Sequence, residues 1–280
     1  MVEVREWGAG DTARLLHAPG PSDDKYSRGV VALRTGSPGY PGAAVLSVEA
    51  AWRAGAGYVR YLGPEASAVL ARRPETVAGA DLGRARPDAW VIGSGTDAET
   101  RTPAETDALQ SILAGTVPVV VDAGALDLAP GAAAPLLVTP HAGEFARLRE
   151  RLRLVPEGTG DRVADAAQTA AALGRTVLLK GSRTLVASSD GTVIVLPEAP
   201  GWLATAGTGD VLAGILGALI AANAAGGAGT DIVEAAAAGA WLHAHAARIA
   251  ADMVGGGPGH PIVALDVAEA LPRACADLLS

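Results

Sequence analysis

A glycine-rich segment followed by an aspartate has the residue types and spacing best suited to chemistry. Gly207, Thr208 and Gly209 precede Asp210, and a long apolar run begins directly afterwards. Because glycine reaches backbone conformations closed to other residues, this loop can turn its N–H groups inward, and a helix that begins there would bind an anion. A carboxylate beside a bound phosphate can remove the proton from a hydroxyl group. The segment is therefore typical of phosphoryl transfer, with residues 207–209 as the anion hole and Asp210 as the base.

The same residues also fit a plainer interpretation, in which an ordinary loop precedes a buried helix and its aspartate caps that helix. Short glycine motifs occur in many proteins, so Asp210 alone does not decide between the two interpretations. The choice depends on the polar residues that follow other apolar segments of the chain.

A histidine and a glutamate lie at one predicted strand-to-helix turn. His141 and Glu144 are three residues apart, which places both near one face of the first helical turn. The histidine could hydrogen-bond a substrate, and the glutamate could order the water shell of Mg²⁺, which prefers few carboxylates and several waters. A buried histidine beside a helix-terminal charge is the alternative.

Lys180 is one of only two lysines in the chain, and it follows an apolar segment that predicts a strand. An ammonium group at this place suits a phosphate or a buried carboxylate. The backbone of residues 181–184 follows a tight turn and could line a nucleotide. A lysine in a hairpin turn at the edge of the sheet is the alternative.

Other polar turns also follow predicted strands. Residues 35–42 form a glycine-rich turn before Ala43, but they lack the Gly-Lys-Ser/Thr ending of a P-loop. Gly95 ends a second turn, and Asp122 opens a third, where a cap or turn role is more common than a ligand contact. His243 and His245 lie two residues apart in a predicted helix, on opposing faces, and we assign them no ligand role.

Composition excludes several classes of function. The 280 residues carry a formal net charge of −8, which argues against nucleic acid or an anionic membrane as the main partner. Cys275 is the only cysteine, so an intrachain disulfide is excluded and a reducing compartment is expected. The N-terminus lacks a signal-peptide pattern, and the apolar run of residues 211–222 is too short to span a bilayer. We therefore expect a cytoplasmic protein.

Short apolar segments alternate with helical patterns along most of the chain. This alternation predicts an α/β fold, with a mostly parallel central sheet and helices on both faces. Residues 185–187 and 193–196 are expected to form a hairpin. Residues 1–24 are expected to be a loose lead-in, and residues 25–280, which no linker or repeat divides, are expected to form a single domain.

Six segments, taken in order, resemble one family, the NAD(P)H-hydrate dehydratases of the ribokinase-like superfamily. They are Gly-Ser-Pro-Gly-Tyr-Pro-Gly-Ala-Ala (36–44), Val-Ile-Gly-Ser-Gly (91–95), Val-Asp-Ala-Gly-Ala-Leu (121–126), Thr-Pro-His-Ala-Gly-Glu-Phe (139–145), Leu-Lys-Gly-Ser-Arg-Thr (179–184) and Leu-Ala-Thr-Ala-Gly-Thr-Gly-Asp-Val-Leu-Ala-Gly (203–214). Each segment alone is weak, but six in this order, from about Lys25 to the C-terminus, are highly specific.

The resemblance implies a ribokinase-like enzyme that repairs NADH or NADPH damaged by addition of water to the ring. The S epimer would be phosphorylated on its ring hydroxyl by ADP, or alternatively by ATP, with Mg²⁺ present, and would then lose phosphate. By similarity, the hydrated cofactor would contact Ala43, Gly95, His141 and Asp210. The nucleotide would contact Lys180, Gly181, Ser182, Arg183, Thr184 and Gly209.

The resemblance further implies a homo-oligomer, commonly a tetramer in this family, and a separate NAD(P)H-hydrate epimerase, for which this chain has no room. The chain departs from the usual family pattern at Gly124, where a second acid is common, at Pro200, near a common asparagine, and at Ala206, which replaces a glycine. Ser94, where the family often has proline, and Asp97, where it often has glycine, are smaller departures. Two other functions stay open: a small-molecule kinase of the same superfamily, acting on a thiazole or pyridoxal alcohol, and a nucleotide-binding sensor without turnover.

Overall fold

The computed structural model describes residues 2–227 and 231–279. Within these residues the strands are β1 (Glu3–Glu6), β2 (Val30–Arg34), β3 (Tyr58–Tyr61), β4 (Val77–Ala78), β5 (Ala89–Ile92), β6 (Val119–Val121), β7 (Leu136–Val138), β8 (Thr176–Leu179), β9 (Leu185–Ala187) and β10 (Thr192–Val195). The helices are α1 (Ala9–Ala13), α2 (Pro41–Arg53), α3 (Ala66–Arg72), α4 (Pro103–Leu113), α5 (Ala142–Arg151), α6 (Arg162–Leu173), α7 (Thr208–Ala225), α8 (Ile232–Ala250) and α9 (Ala264–Leu279).

All of these strands belong to one sheet, in the order β1-β10-β9-β8-β7-β6-β5-β2-β3-β4. Every neighbouring pair is parallel except the two that include β9, which runs antiparallel to β8 and to β10. The predicted hairpin is therefore confirmed as β9 and β10. The mostly parallel sheet is confirmed as well.

Helices cover both faces of the sheet. Side chains alternate between the two faces along each strand, so each face contributes to a separate core. Val31 and Leu33 of β2 point into one core, which also contains residues of α2, α7, α8 and α9. Ala32 points into the other core, with residues of α4, α5 and α6. Polar residues at the carboxyl ends of the strands are thus held between two packed layers.

Helix α7 is central to the first core. Gly214 lies so close to α2 that a Cβ atom there would be 2.1 Å from the carbonyl oxygen of Ser47. The helix extends beyond the apolar run of the sequence, and its 18 residues are long and apolar enough to cross a membrane. Because 67% of that segment is buried against the protein's own helices and sheet, it has the character of a core helix.

The expectation of a loose N-terminal lead-in is wrong for residues 3–13. Strand β1 pairs in parallel with β10, and Trp7 is only 3% exposed. The indole N–H of Trp7 donates a hydrogen bond of 2.9 Å to the hydroxyl of Thr12 at the end of this segment. The strand lies at the edge of the sheet, where alternating charged residues are tolerated, so its polar sequence concealed it. Helix α3 and strand β4 also lacked a recognisable pattern.

Candidate active site

Asp122 is the centre of a hydrogen-bonded cluster at the carboxyl end of the sheet. It follows β6, is 3% exposed, and accepts hydrogen bonds from the hydroxyls of Ser94 (2.9 Å) and Thr139 (2.8 Å). Its Oδ1 also accepts from the Nζ of Lys180 at 2.9 Å. Since these residues follow β5, β6, β7 and β8, the sheet itself brings them together. Asp122 therefore orders the site, rather than acting as the simple turn residue that the sequence favoured.

Lys180 extends from Asp122 toward the glycine-rich loop. Its Nζ lies 3.8 Å from Oε2 of Glu144, and a Cβ atom at Gly209 would be 3.6 Å from it. Burial acts to lower the pKa of Lys180, but the charges of Asp122 and Glu144 outweigh burial and raise it. The ammonium group therefore stays charged at neutral pH, next to the start of α7.

The start of α7 has the geometry expected for an anion hole. Gly207 takes a left-handed conformation with φ of 89° and caps the helix without a side-chain hydrogen bond. The hydroxyl of Thr208 donates to the carbonyls of Leu203 and Thr205, both at 3.0 Å, which closes the turn. The first N–H groups of an α-helix have no partner inside the helix, so those of residues 208–210 are available to an anion.

Asp210 lies in the first turn of α7, and its carboxyl has no hydrogen-bond partner among the described residues. Burial raises the pKa of Asp210 to about 7, the charge of Asp122 adds to the rise, and the charge of Lys180 opposes it. A carboxyl with a pKa near neutrality can accept and return a proton under physiological conditions. The side chain is thus a candidate base beside an anion site, and it does not cap the helix.

His141 and Glu144 form a capping box at the start of α5. The Nδ1 of His141 accepts from the N–H of Gly143 at 3.0 Å, and Oε2 of Glu144 accepts from the N–H of His141 at 2.9 Å. The histidine side chain is 57% exposed, so the alternative of a buried histidine is wrong. Its Nε2 lies 3.4 Å from Oε1 of Glu144.

The structure brings Ala43 and Gly95 into contact. Gly95 has a φ of 67°, and a Cβ atom there would lie 2.3 Å from the Cβ of Ala43. The hydroxyl of Ser37 donates to the Gly95 carbonyl at 2.8 Å, which fixes the loop against the start of α2. Only glycine permits this approach, because any side chain at residue 95 would collide with Ala43.

A cavity of about 340 Å³ lies beside β8, and we call it the β8 cavity. One wall is polar and includes Lys180, Gly181, Ser182, Thr184 and Gly209. The other wall is apolar and comes from residues such as Leu196, Leu203, Leu212 and Trp241. Arg183 is not part of this lining, and its carbonyl accepts a hydrogen bond from Arg162 at 3.0 Å.

His243 on α8 also lines the β8 cavity, a role that the sequence did not assign. Burial lowers the pKa of His243 to about 4, against the effect of a hydrogen bond with the backbone of Thr208, so the ring is neutral. Its Nε2 is buried and has no hydrogen-bond partner within residues 2–227 and 231–279. The helical pattern of α8 offered no signal for this histidine beyond its type.

A second cavity of about 520 Å³ lies between α5 and the loop after β5, and we call it the α5 cavity. Tyr40, Gly95, Gly124, Glu144 and Arg147 are in its lining. The contact of Glu144 with Lys180 joins the lining of this cavity to that of the β8 cavity. Asp210 is in neither lining, but it lies close enough to Lys180 for the charge of the lysine to affect the pKa of Asp210.

Two departures from the family pattern have simple structural consequences. Ala206 is exposed and its φ is not positive, so alanine replaces the usual glycine without backbone strain. A Cβ atom at Gly124 would lie 2.3 Å from the carbonyl oxygen of Thr96, so an acidic side chain would not fit here without a shift of the backbone.

The fold and the site together define a ribokinase-like α/β protein, with the N-terminus of a buried helix at the carboxyl end of its sheet as the candidate anion site. The chain belongs to the NAD(P)H-hydrate dehydratase family, whose sequence profile matches residues 31–262. The same fold is found in a ribokinase-like superfamily protein of Enterococcus faecalis, which is 22% identical to this chain, covers 98% of it and superposes with a TM-score of 0.83.

Individual relatives agree with this assignment. The chain is 45% identical over 230 residues to the bifunctional NAD(P)H-hydrate repair enzyme Nnr of Mycobacterium tuberculosis, which covers 79% of this chain and 47% of that protein. It is 38% identical to the ADP-dependent (S)-NAD(P)H-hydrate dehydratase of Neisseria meningitidis, over 86% of this chain and 83% of that protein. The chain thus spans about half the length of the bifunctional relatives it matches.

A solved structure extends the comparison to bound nucleotide. The ADP/ATP-dependent NAD(P)H-hydrate dehydratase of Bacillus subtilis, co-crystallised with ATP and Mg²⁺, is 27% identical to this chain. The two superpose with a TM-score of 0.82 and cover 99% of each other. The nucleotide and the metal are properties of that protein.

Proposed function

We propose that this chain restores hydrated NADH and NADPH, in the S epimer, by phosphorylating the ring hydroxyl with ADP and then eliminating phosphate. The observation that supports this most is the partly buried carboxyl of Asp210 at the N-terminus of α7, which lies beside Lys180 and has no hydrogen-bond partner in the described part of the chain. A base with a pKa near 7 beside an anion hole suits phosphoryl transfer to an alcohol.

The first step transfers the terminal phosphoryl group. Asp210 takes the proton of the ring hydroxyl while the hydroxyl oxygen forms a bond to phosphorus and the bond from phosphorus to the AMP oxygen breaks. The N–H groups at the start of α7, with Gly207 and Gly209 in the loop, hold the transferring group, and Lys180 balances its charge. The β8 cavity offers the apolar wall that an adenine ring requires.

The second step releases phosphate. Phosphate is a much better leaving group than hydroxide, and the lone pair of the ring nitrogen expels it with the electrons of the C–O bond. Loss of a proton from the neighbouring ring carbon then restores the double bond. We expect His141, Ala43 and Gly95 to hold the ring, and the contact of Ala43 with Gly95 and the exposure of His141 are compatible with this role.

Mg²⁺ is expected to enter with the nucleotide. Among residues 2–227 and 231–279, no group of three His, Cys, Asp or Glu side chains is arranged to hold a metal. This donor set fits Mg²⁺ that is bound mainly by phosphates and waters, with Glu144 contacting it through a water. When bound, the ion would reduce the negative charge on the phosphates. The tetramer, the separate epimerase and the cytoplasmic location stay predictions.

The test is an assay of the purified chain with hydrated NADPH and, in parallel, ADP or ATP. We expect the absorbance of the reduced nicotinamide to recover, with one phosphate released per turnover and AMP formed from ADP. A stable phosphorylated product without this recovery would identify a kinase. Tight nucleotide binding without turnover would identify a sensor. Either result would contradict the proposal.

A further inference from the structure

A buried histidine in the wall of the β8 cavity has no part in the reaction described so far. His243 on α8 is only 8% exposed, yet it lines this cavity together with Thr208 and Gly209. Its Nε2 finds no hydrogen-bond partner among the residues that the structure describes. A buried polar atom without a partner destabilises a protein, so such an atom in the wall of a cavity indicates a contact that a ligand completes.

The surroundings of His243 define which hydrogen bonds its ring can make. Burial, with a smaller contribution from the charge of Lys180, lowers the pKa of His243 to about 4, so the ring is neutral at physiological pH. The hydrogen bond with the backbone of Thr208 acts in the opposite direction, which makes the ring the donor and the carbonyl of Thr208 the acceptor. A neutral imidazole has one N–H and one acceptor nitrogen. With the N–H bound to Thr208, Nε2 is an acceptor.

His243 lies between the two ends of the β8 cavity. At one end are Lys180 and the first N–H groups of α7, close to the carbonyl that binds the ring. At the other end the guanidinium group of Arg248 donates to the carbonyl of Glu198, about 7.5 Å from His243 along the axis of α8. A nucleotide with its phosphates at the first end and its base toward the second would have its ribose level with His243.

The acceptor character of Nε2 decides which group of a nucleotide it can bind. Ionised phosphate oxygens are acceptors, so they suit Lys180 and the N–H groups of α7 but not Nε2. The hydroxyl groups of the ribose can each donate an O–H. The amino group of adenine is the other donor of ADP, and it lies on the edge of the base that is remote from the phosphates. A ribose hydroxyl is therefore the group that matches His243 in both position and chemistry.

We propose that His243 binds a ribose hydroxyl of the nucleotide, so that the chain selects nucleotides that carry this hydroxyl. The inference rests on the proposed function, since it adds a contact to the nucleotide that supplies the phosphoryl group. A nucleotide without the hydroxyl would leave Nε2 buried and unpaired in the complex, and such sites reject the analogue that lacks the group. The contact is remote from the transferring phosphoryl group, so it acts on binding rather than on the chemical step.

Equilibrium binding of nucleotides to the native chain tests this inference without turnover. Calorimetry with Mg²⁺ compares ADP, 2′-deoxy-ADP, 3′-deoxy-ADP and the diphosphate of purine riboside, which lacks the amino group. We expect at least one of the two deoxy nucleotides to bind about fivefold more weakly than ADP, because one hydrogen bond is lost. The purine riboside diphosphate should bind within about twofold of ADP. Equal binding of ADP and both deoxy nucleotides, or a loss confined to the purine riboside diphosphate, would overturn the inference.

His243→Phe assigns the effect to the imidazole. The phenyl ring keeps an aromatic group in the cavity wall but can neither donate nor accept, so ADP should bind about as weakly as the deoxy nucleotide, and the difference between the two should disappear. His243→Leu, with a smaller apolar side chain, should give the same result if phenylalanine prevents folding. His17→Gln is the control, because His17 is 70% exposed and lies outside the lining of both cavities. A fivefold difference that persists in the His243 variants would refute the assignment.

The two proposals fail in different ways. A native chain that turns over no hydrate but discriminates against a deoxy nucleotide, with the discrimination lost in His243→Phe, would refute the proposed function alone. A native chain that restores hydrated NADPH with the same KM for ADP and for both deoxy nucleotides would refute the role of His243 alone.

Discussion

The two cavities of the site differ in the residues that line them. The β8 cavity has a wall of buried apolar side chains and a wall of main chain, with a neutral histidine, His243, in its lining. The α5 cavity is lined by charged side chains on a helix surface and a loop, including Arg147 and Arg151. Between them lie Asp122, Lys180 and Asp210. The difference indicates that one cavity suits a flat apolar base and the other suits charged groups.

The largest effect is expected from a substitution of Asp210, which lies near the contact between the linings of the two cavities. Asp210→Asn keeps the shape of the side chain but removes its ability to take a proton. We predict that kcat falls by at least about 10²–10³-fold. Binding of ADP should change little, since its phosphates are expected to contact the N–H groups at the start of α7.

The matched control is Asp107→Asn on the exposed surface of α4, which should have native kinetics. Substantial turnover by Asp210→Asn would remove Asp210 from the role of base. Loss of binding in both cavities would instead show that Asp210 supports the structure of the site.

A smaller effect is expected when the cluster itself is broken. Asp122→Asn removes the charge that pairs with Lys180 and disturbs the hydrogen bonds from Ser94 and Thr139. Without Asp122 the ammonium group of Lys180 keeps only the more distant carboxylate of Glu144, at 3.8 Å, so we predict a loss of about 2–4 kcal/mol in the free energy of unfolding. Denaturant unfolding of the native chain and the variant measures this.

Ser94→Ala is the comparison variant, because it removes one hydrogen bond and leaves the ion pair. We expect it to cost about 1 kcal/mol. Equal stability of Asp122→Asn and the native chain would show that the cluster does not order the site.

A further effect concerns the dependence of stability on pH. The pKa of Asp210 is raised to about 7 in the folded state, above its ordinary value of 3.8, so the folded state holds this proton more tightly. The carboxyl thus favours folding less and less as the pH rises from about 4 through 7. Each unit of pKa corresponds to about 1.4 kcal/mol. Asp210→Asn should therefore be more stable than the native chain by a few kcal/mol at pH 8 and nearly equal below pH 4.

Thermal unfolding of both proteins across this pH range is the measurement, and the expected difference at pH 8 is several degrees. A difference that is constant with pH would show that the carboxyl is not held near neutrality by its burial.

The sequence was sufficient to predict the elements and residues that depend on local pattern. Apolar runs predicted strands β5 to β8, and the glycines at 207 and 209 predicted the start of α7. The structure contains these strands and this helix start. Strand β1 was missed because its polar edge sequence gains its pairing from β10, about 190 residues away.

The partners of the site residues depend on tertiary packing in the same way. The sequence indicated Lys180 and Asp210 as chemically important, but not that Asp122 would be the partner of one and would raise the pKa of the other.

The pH dependence of kcat/KM, measured for the native chain and for Asp122→Asn, tests most directly that Asp210 is a base tuned by its surroundings. For the native chain, kcat/KM should rise with pH through about 7, because this ratio reports the pKa of the free enzyme's base. Removing the charge of Asp122 takes away one of the causes that raise the pKa of Asp210, so the midpoint should move to lower pH. A profile without a rise near neutrality, or one that Asp122→Asn leaves in place, would contradict the role of Asp210.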